Sequence, residues 1–114
     1  MIATSFEFWR AFFDPGDPHH AKARADIRVY DREKIILSPF IVAEVASWLI
    51  EKGKIRQKNW FLDFARNTAN ARVFIFGKEE FEMIMKIALE ENMSLEKASL
   101  EYLRRSLNCD ITDY

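Results

Sequence analysis

Ile35-Ile36-Leu37-Ser38-Pro39-Phe40-Ile41-Val42-Ala43-Glu44-Val45 decides the fold class. Three consecutive branched apolar residues, too short for a helix, read as a strand buried in a sheet interior. Ser38 is a helix N-cap, its side-chain oxygen free to accept from the first turn, and Pro39 suits the first helical position because the N–H it lacks would have no partner there. A helix follows to Lys52 and stops at Gly53. The segment is one strand passing straight into one helix, the first half of a βαβ unit.

The flanks repeat the alternation. Met1 to Thr4 is a short first strand, and Phe6 to Phe13 a short helix rich in aromatics. Asp14-Pro15-Gly16-Asp17-Pro18 breaks the chain. A polar helix runs from His19 or His20 to about Asp31, with Ala21, Ala25 and Val29 at i, i+4, i+8 as the stripe expected to face the core. Beyond Gly53, Lys54 to Arg66 is helical, with Trp60, Phe61, Phe64 and Ala65 on its apolar side. Arg72 to Phe76 is a strand by its β-branched and aromatic content. Lys78 to Glu91 and Ser94 to Leu107 are helices, and Cys109 to Thr112 is a last strand. Strands alternating with helices across short turns imply a parallel sheet covered on both faces, so the expected fold is a three-layer α/β/α sandwich around a short parallel sheet. In such sheets function sits at the carboxyl ends of the strands.

With 114 residues the chain is one domain. Seventeen basic against eighteen acidic residues leave a net charge of −1, which argues against strong non-specific polyanion binding. The single cysteine, Cys109, excludes a disulfide framework and a Cys-rich zinc site. No stretch is long and apolar enough to span a membrane, and the first residues do not read as a signal peptide, so a cytoplasmic protein is expected. A glycine-rich phosphate loop, a Cys-x-x-Cys pair and a spaced Ser/His/Asp set are all missing, which removes dinucleotide and P-loop chemistry.

Glu44 is the most informative polar residue. Its helical neighbours Phe40, Ile41 and Trp48 put a carboxylate on an apolar face. Such a group is costly unless it reaches water, pairs with a cation or binds a metal. His19 and His20 are adjacent, point different ways on a helix and read as a helix start. Cys109 reads as a buried, inert thiol. Lys52, Lys54, Arg56 and Lys58 read as the solvated start of a helix, with an RNA backbone contact as the other reading.

Three stretches together resemble the PIN-domain family, especially its VapC-type toxin ribonucleases. They are Trp9 to Ala23, Ile36 to Val45, and Ser94 to Leu103 with Asn108 to Thr112. The resemblance implies a parallel sheet sandwiched by helices, and acidic side chains that hold Mg²⁺ or Mn²⁺ for attack of water on an RNA phosphodiester. It also implies an antitoxin-like protein partner, an RNA substrate and a homodimer. Phe8, Trp9, Phe12, Phe13, Trp48 and Trp60 are the aromatics it offers for a partner surface.

By the same resemblance Glu44 is a catalytic acid and metal ligand. Asp113 is a second, with Asp110 as the alternative. Two of the family's acid positions are substituted. The first, at the end of strand one in a motif like Asp-x-Ser, is assigned to Ser5 with Glu7 two residues on. The third, in the last helix, is Lys97. Lys97 also stands three residues after Ser94, where a capping box takes Glu or Gln, and a cation in a first turn opposes the helix dipole by about 0.3–1 kcal/mol. A pairing of Lys97 with Glu44 is expected to neutralise the pocket. The reading is therefore a single PIN-like domain over 1–114, without the family's usual final strand, in which cleavage is weak or absent. The alternative is a non-catalytic PIN-like binding module.

Overall fold

A computed structural model describes residues 1–67, 69–112 and 114. Its elements are β1 (Ile2–Ala3), α1 (Phe6–Phe13), α2 (His20–Glu33), β2 (Ile35–Leu37), α3 (Pro39–Glu51), α4 (Ile55–Asn67), β3 (Ala71–Val73), α5 (Lys78–Glu90), α6 (Leu95–Leu107) and β4 (Asp110–Ile111). The strands form one sheet in the order β3-β2-β1-β4, every pair parallel. Ile2 and Ala3 stand against Ile35 and Ile36 on one side and against Asp110 and Ile111 on the other. Successive strand residues face opposite sides of a sheet, and Ile35, Ile36 and Leu37 are all buried, so helices cover both faces. The α/β/α sandwich is borne out.

The punctuation read from the sequence holds at atomic level. Ser38 Oγ accepts from the Phe40 N–H at 3.2 Å, and Ser94 Oγ from the Lys97 N–H at 3.2 Å. Glu80 caps α5 by accepting from the Gly77 N–H at 2.9 Å. After α3 the backbone turns left-handed at Gly53, φ 71°, a conformation a side chain would strain. Three details differ. The α2 stripe that packs is Ala23, Ile27 and Tyr30, not Ala21, Ala25 and Val29, which are exposed. Ile27 and Tyr30 bury far more area than two alanines and a valine, and Tyr30 closes on Phe8 at 5.3 Å. Strand β3 ends at Val73; Phe74 still donates its N–H to the Leu37 carbonyl at 2.9 Å, and its ring lies 5.2 Å from that of Phe76. Phe76 reaches Phe40 at 6.2 Å and Tyr102 at 5.9 Å.

The third difference concerns the N-terminal aromatics. Phe8, Trp9, Phe12 and Phe13 are core residues, so they form no partner surface. Trp9 lies against Phe61 at 4.9 Å and donates its indole N–H to Thr4 Oγ1 at 2.9 Å. Of the six aromatics considered, Trp60 alone is exposed. Among the described residues no helix is long and apolar enough to cross a membrane.

Candidate active-site cleft at the strand ends

Three helices begin or pass where the strands end, and each brings a carboxylate. α1 follows β1 across the two residues Thr4 and Ser5 and carries Glu7 in its first turn. α3 starts directly after β2 and carries Glu44 one turn in. The N-terminus of α6 brings Glu96 and Lys97. A cleft of about 230 Å³ is lined by Glu7, Glu44, Glu96 and Lys97 with Phe6 and Ile41. An adjoining cleft of about 310 Å³ shares Glu7 and Lys97 and extends to Ser5, Glu101 and Thr112.

The parts are held from below by hydroxyls. Ser5 is the N-cap of α1, its Oγ accepting from the Phe8 N–H at 3.2 Å and from Thr112 Oγ1 at 2.9 Å. The Ser5 N–H donates in turn to Thr112 Oγ1 at 2.9 Å. Ser38 Oγ and Ser99 Oγ are 2.6 Å apart, and Ser99 also donates to the Glu96 carbonyl at 2.7 Å, which ties α6 to the start of α3. Among the described residues no buried side-chain nitrogen or oxygen lacks a partner.

Burial pushes the Glu44 carboxyl above its ordinary range. Glu96 and Glu7 push it the same way, and Lys97 pulls it down without cancelling them. The expected Lys97–Glu44 ion pair is not formed: among the described residues no contact within 4.0 Å joins them. Lys97 is exposed, and a strongly hydrated ammonium on a flexible stem gains little by leaving water for one half-buried carboxylate. Three carboxylates therefore outnumber one ammonium, and the cleft is acidic.

The remaining residues fall as follows. Ser5 lies beyond the strand, which ends at Ala3, and serves as a cap. Asp110 opens β4 opposite Ile2, exposed and away from the cleft lining, so it does not stand across from Glu44. A parallel strand that begins beside Ile2 puts its first residue at the wrong end. Asp113 lies outside the described residues. Cys109 is buried, and burial pushes its thiol up, as an inert core cysteine requires. His19 and His20 begin α2 as read.

No family model matches this chain, and no curated protein does. Among solved structures it is similar to VapC20 of Mycobacterium tuberculosis, described as a sarcin–ricin loop cleaving toxin. The TM-score is 0.80 at 18% identity, over 96% of this chain and 85% of that one. The fold is that of a VapC toxin.

A VapC-type site implies a divalent cation, and the donor set here can be tested against one. Mg²⁺ asks for hard oxygens converging at about 2.0–2.1 Å in near-octahedral geometry. Among the described residues, no three His, Cys, Asp or Glu side chains are grouped to hold an ion. Glu7, Glu44 and Glu96 share a cleft but come from three helices, with an ammonium beside them. Among the described residues, then, the side chains present do not make a site that fits Mg²⁺ or Mn²⁺. What they do offer is an acidic, half-buried recess able to attract a cationic group.

Proposed function

We propose that this chain is a VapC-like PIN-fold protein that works by binding more than by cutting. It engages RNA and an antitoxin-like protein, and its metal-dependent ribonuclease activity is weak or absent. The observation that carries the reading is the side-chain inventory of the strand-end cleft. Lys97 holds a place the resemblance gives to an acid. The resemblance puts the first acid at the end of strand one; we read that place as Ala3, the last residue of β1, instead of Ser5 with Glu7. Ala3 is a buried methyl group. Glu44 then stands as the principal surviving acid, with Asp113, next in sequence to buried Thr112, as the other. An RNA-directed role places the protein in the cytoplasm.

The test uses a stem-loop RNA with millimolar Mn²⁺. No cleavage above background is expected, and no thermal stabilisation by Mn²⁺, since an ion that bound only the native state would raise its stability. Mn²⁺-dependent cleavage that Glu44→Gln abolishes would overturn the reading. The reverse experiment is Ala3→Asp with Lys97→Asp. It should lower metal-free stability by crowding carboxylates and return part of that loss when Mn²⁺ is added.

The proposal includes a homodimer. Met85 and Leu89, one turn apart on α5, are both exposed, Leu89 by 83%. Light scattering should give twice the monomer mass, and Leu89→Glu should give the monomer.

A further inference from the structure

A second, roomier cleft lies elsewhere on the molecule. It measures about 740 Å³ and opens between α1, α2 and α4. It shares no lining residue with the strand-end clefts, and no Asp or Glu lines it. Arg24, Arg28 and Arg56 converge there from two helices. Among the described residues none of the three guanidiniums has a carboxylate within 4.0 Å. In a chain of net charge −1 that is a local excess of unpaired positive charge. His20 joins them, its ring held by a 2.8 Å hydrogen bond between Nδ1 and the Ala11 carbonyl.

The floor is flat and aromatic. Arg24 lies over the Phe12 ring, Cζ 4.7 Å from the centroid. Phe12 is layered on Trp60 at 5.6 Å with 19° between the planes. Trp60 keeps 45% of its surface exposed. A bare inorganic anion would leave this floor wet, and an apolar ligand would desolvate three cations without compensation. Branched aliphatic side chains of a peptide match a stack of parallel planes poorly, whereas a base matches it well, on a ring or on a guanidinium. The volume falls within the usual range for small-ligand sites.

We infer that this cleft binds a nucleoside phosphate, free or as one residue of single-stranded RNA. Arg24, Arg28 and Arg56 take the phosphate, and the base lies against the exposed part of Trp60, which buried Phe12 backs. Guanidiniums suit this role because their fork of donors matches phosphate oxygens.

The experiment titrates the full chain, in EDTA, with AMP and with hexa-adenylate, read by calorimetry and tryptophan fluorescence. Both should bind. Hexa-adenylate binding more than about tenfold tighter than AMP identifies RNA as the source, and equal affinity identifies the free nucleotide. Arg28→Gln with Arg56→Gln should weaken hexa-adenylate at least about tenfold. The same pair should flatten its salt dependence by roughly 1.4 in log–log slope, at about 0.7 for each phosphate no longer neutralised. Trp60→Leu should weaken it about fivefold or more. Arg28 and Arg56 are exposed, so that pair should melt as the parent does; Trp60→Leu gives up ring contacts with Phe12 and Phe64, so its binding is measured well below its own melting transition. Glu44→Gln should leave binding unchanged, which separates this site from the strand-end cleft. Three results would overturn the inference: no binding of either probe at millimolar concentration, affinities indifferent to the arginines, or displacement of hexa-adenylate by an equimolar hexaglutamate peptide.

Discussion

Around Trp9 every group has what it needs. The indole is fully buried, with rings of Phe8, Phe12, Phe61 and Phe64 at 4.9–5.7 Å and its N–H on Thr4 Oγ1. Around Glu44 the local rules are broken instead. A half-buried carboxyl has two carboxylates for neighbours, and the one nearby ammonium makes no ion pair with it and occupies a helix position that favours an acid. The two regions lie on the same short helix, since Glu7 and Trp9 are both in α1. The scaffold is satisfied and the cleft is not. A region left unsatisfied beside a well-packed one is where function, past or present, is to be sought.

If that contrast is real, damage to the two regions should differ widely. Trp9→Ala empties a cavity among four rings and should cost about 3–5 kcal/mol, much of the stability of a domain this size. Denaturant unfolding measures it directly. Trp9→Phe keeps most of the packing but leaves the buried Thr4 hydroxyl without its donor, and should cost less. Equal costs would mean that the hydrogen bond to Thr4, rather than ring packing, holds the region together.

Ser5 sits on the border between the regions and should give an intermediate effect. Its hydroxyl caps α1 and is the acceptor for Thr112. Ser5→Ala should cost about 1–2 kcal/mol, the usual range for removing an N-cap. Thr112→Val should cost a similar amount, and the double variant less than the sum, because both remove the same hydrogen bond. Full additivity would show that the bridge between β4 and α1 contributes nothing.

Local chemistry makes much of the fold legible in the sequence. Ser38-Pro39 marks the strand-to-helix junction because capping is local chemistry, and the parallel sheet follows from the alternation around it. Features that depend on a tertiary choice are not legible in this way. An Ala21, Ala25, Val29 stripe and an Ala23, Ile27, Tyr30 stripe both have helical period. Only the presence of Phe8 beside Tyr30 selects the second. Glu44 could be read as anomalous from its apolar neighbours, but the company of Glu7 and Glu96 required three helices to be placed. The arginine cleft could not be read at all, since Arg24 and Arg28 on a polar helix look like solvated charge until α4 brings Arg56 to them.

In the cleft itself the changes should be small and of opposite sign. Glu44→Gln removes a charge that burial and two neighbours disfavour. A carboxyl whose folded pKa is raised is favourable to folding in its protonated form, so stability associated with it is present at acid pH and lost as pH rises through the folded value. The variant and the parent should therefore be equally stable below the ordinary Glu range. The variant should pull ahead toward neutral pH, read as a Tm difference that opens as pH rises. A parent that is the more stable of the two at pH 7 would reveal a stabilising partner for Glu44.

The smallest effect is expected at Lys97, where two influences compete. At the third position of α6, after the Ser94 cap, its ammonium faces the positive end of the helix dipole, and a Gln there would complete a capping box. Against that, Lys97 is the cation that moderates the Glu44 carboxyl. The side chain is exposed and makes no ion pair with Glu44 within 4.0 Å among the described residues, so water screens that moderation to little. The helix contribution should win, and Lys97→Gln should gain about 0.3–0.5 kcal/mol. A double-mutant cycle with Glu44→Gln isolates the second influence, and its coupling should stay below about 0.5 kcal/mol. A larger coupling, fading in molar salt, would mean that Lys97 and Glu44 do pair in solution and that the cleft is neutralised after all.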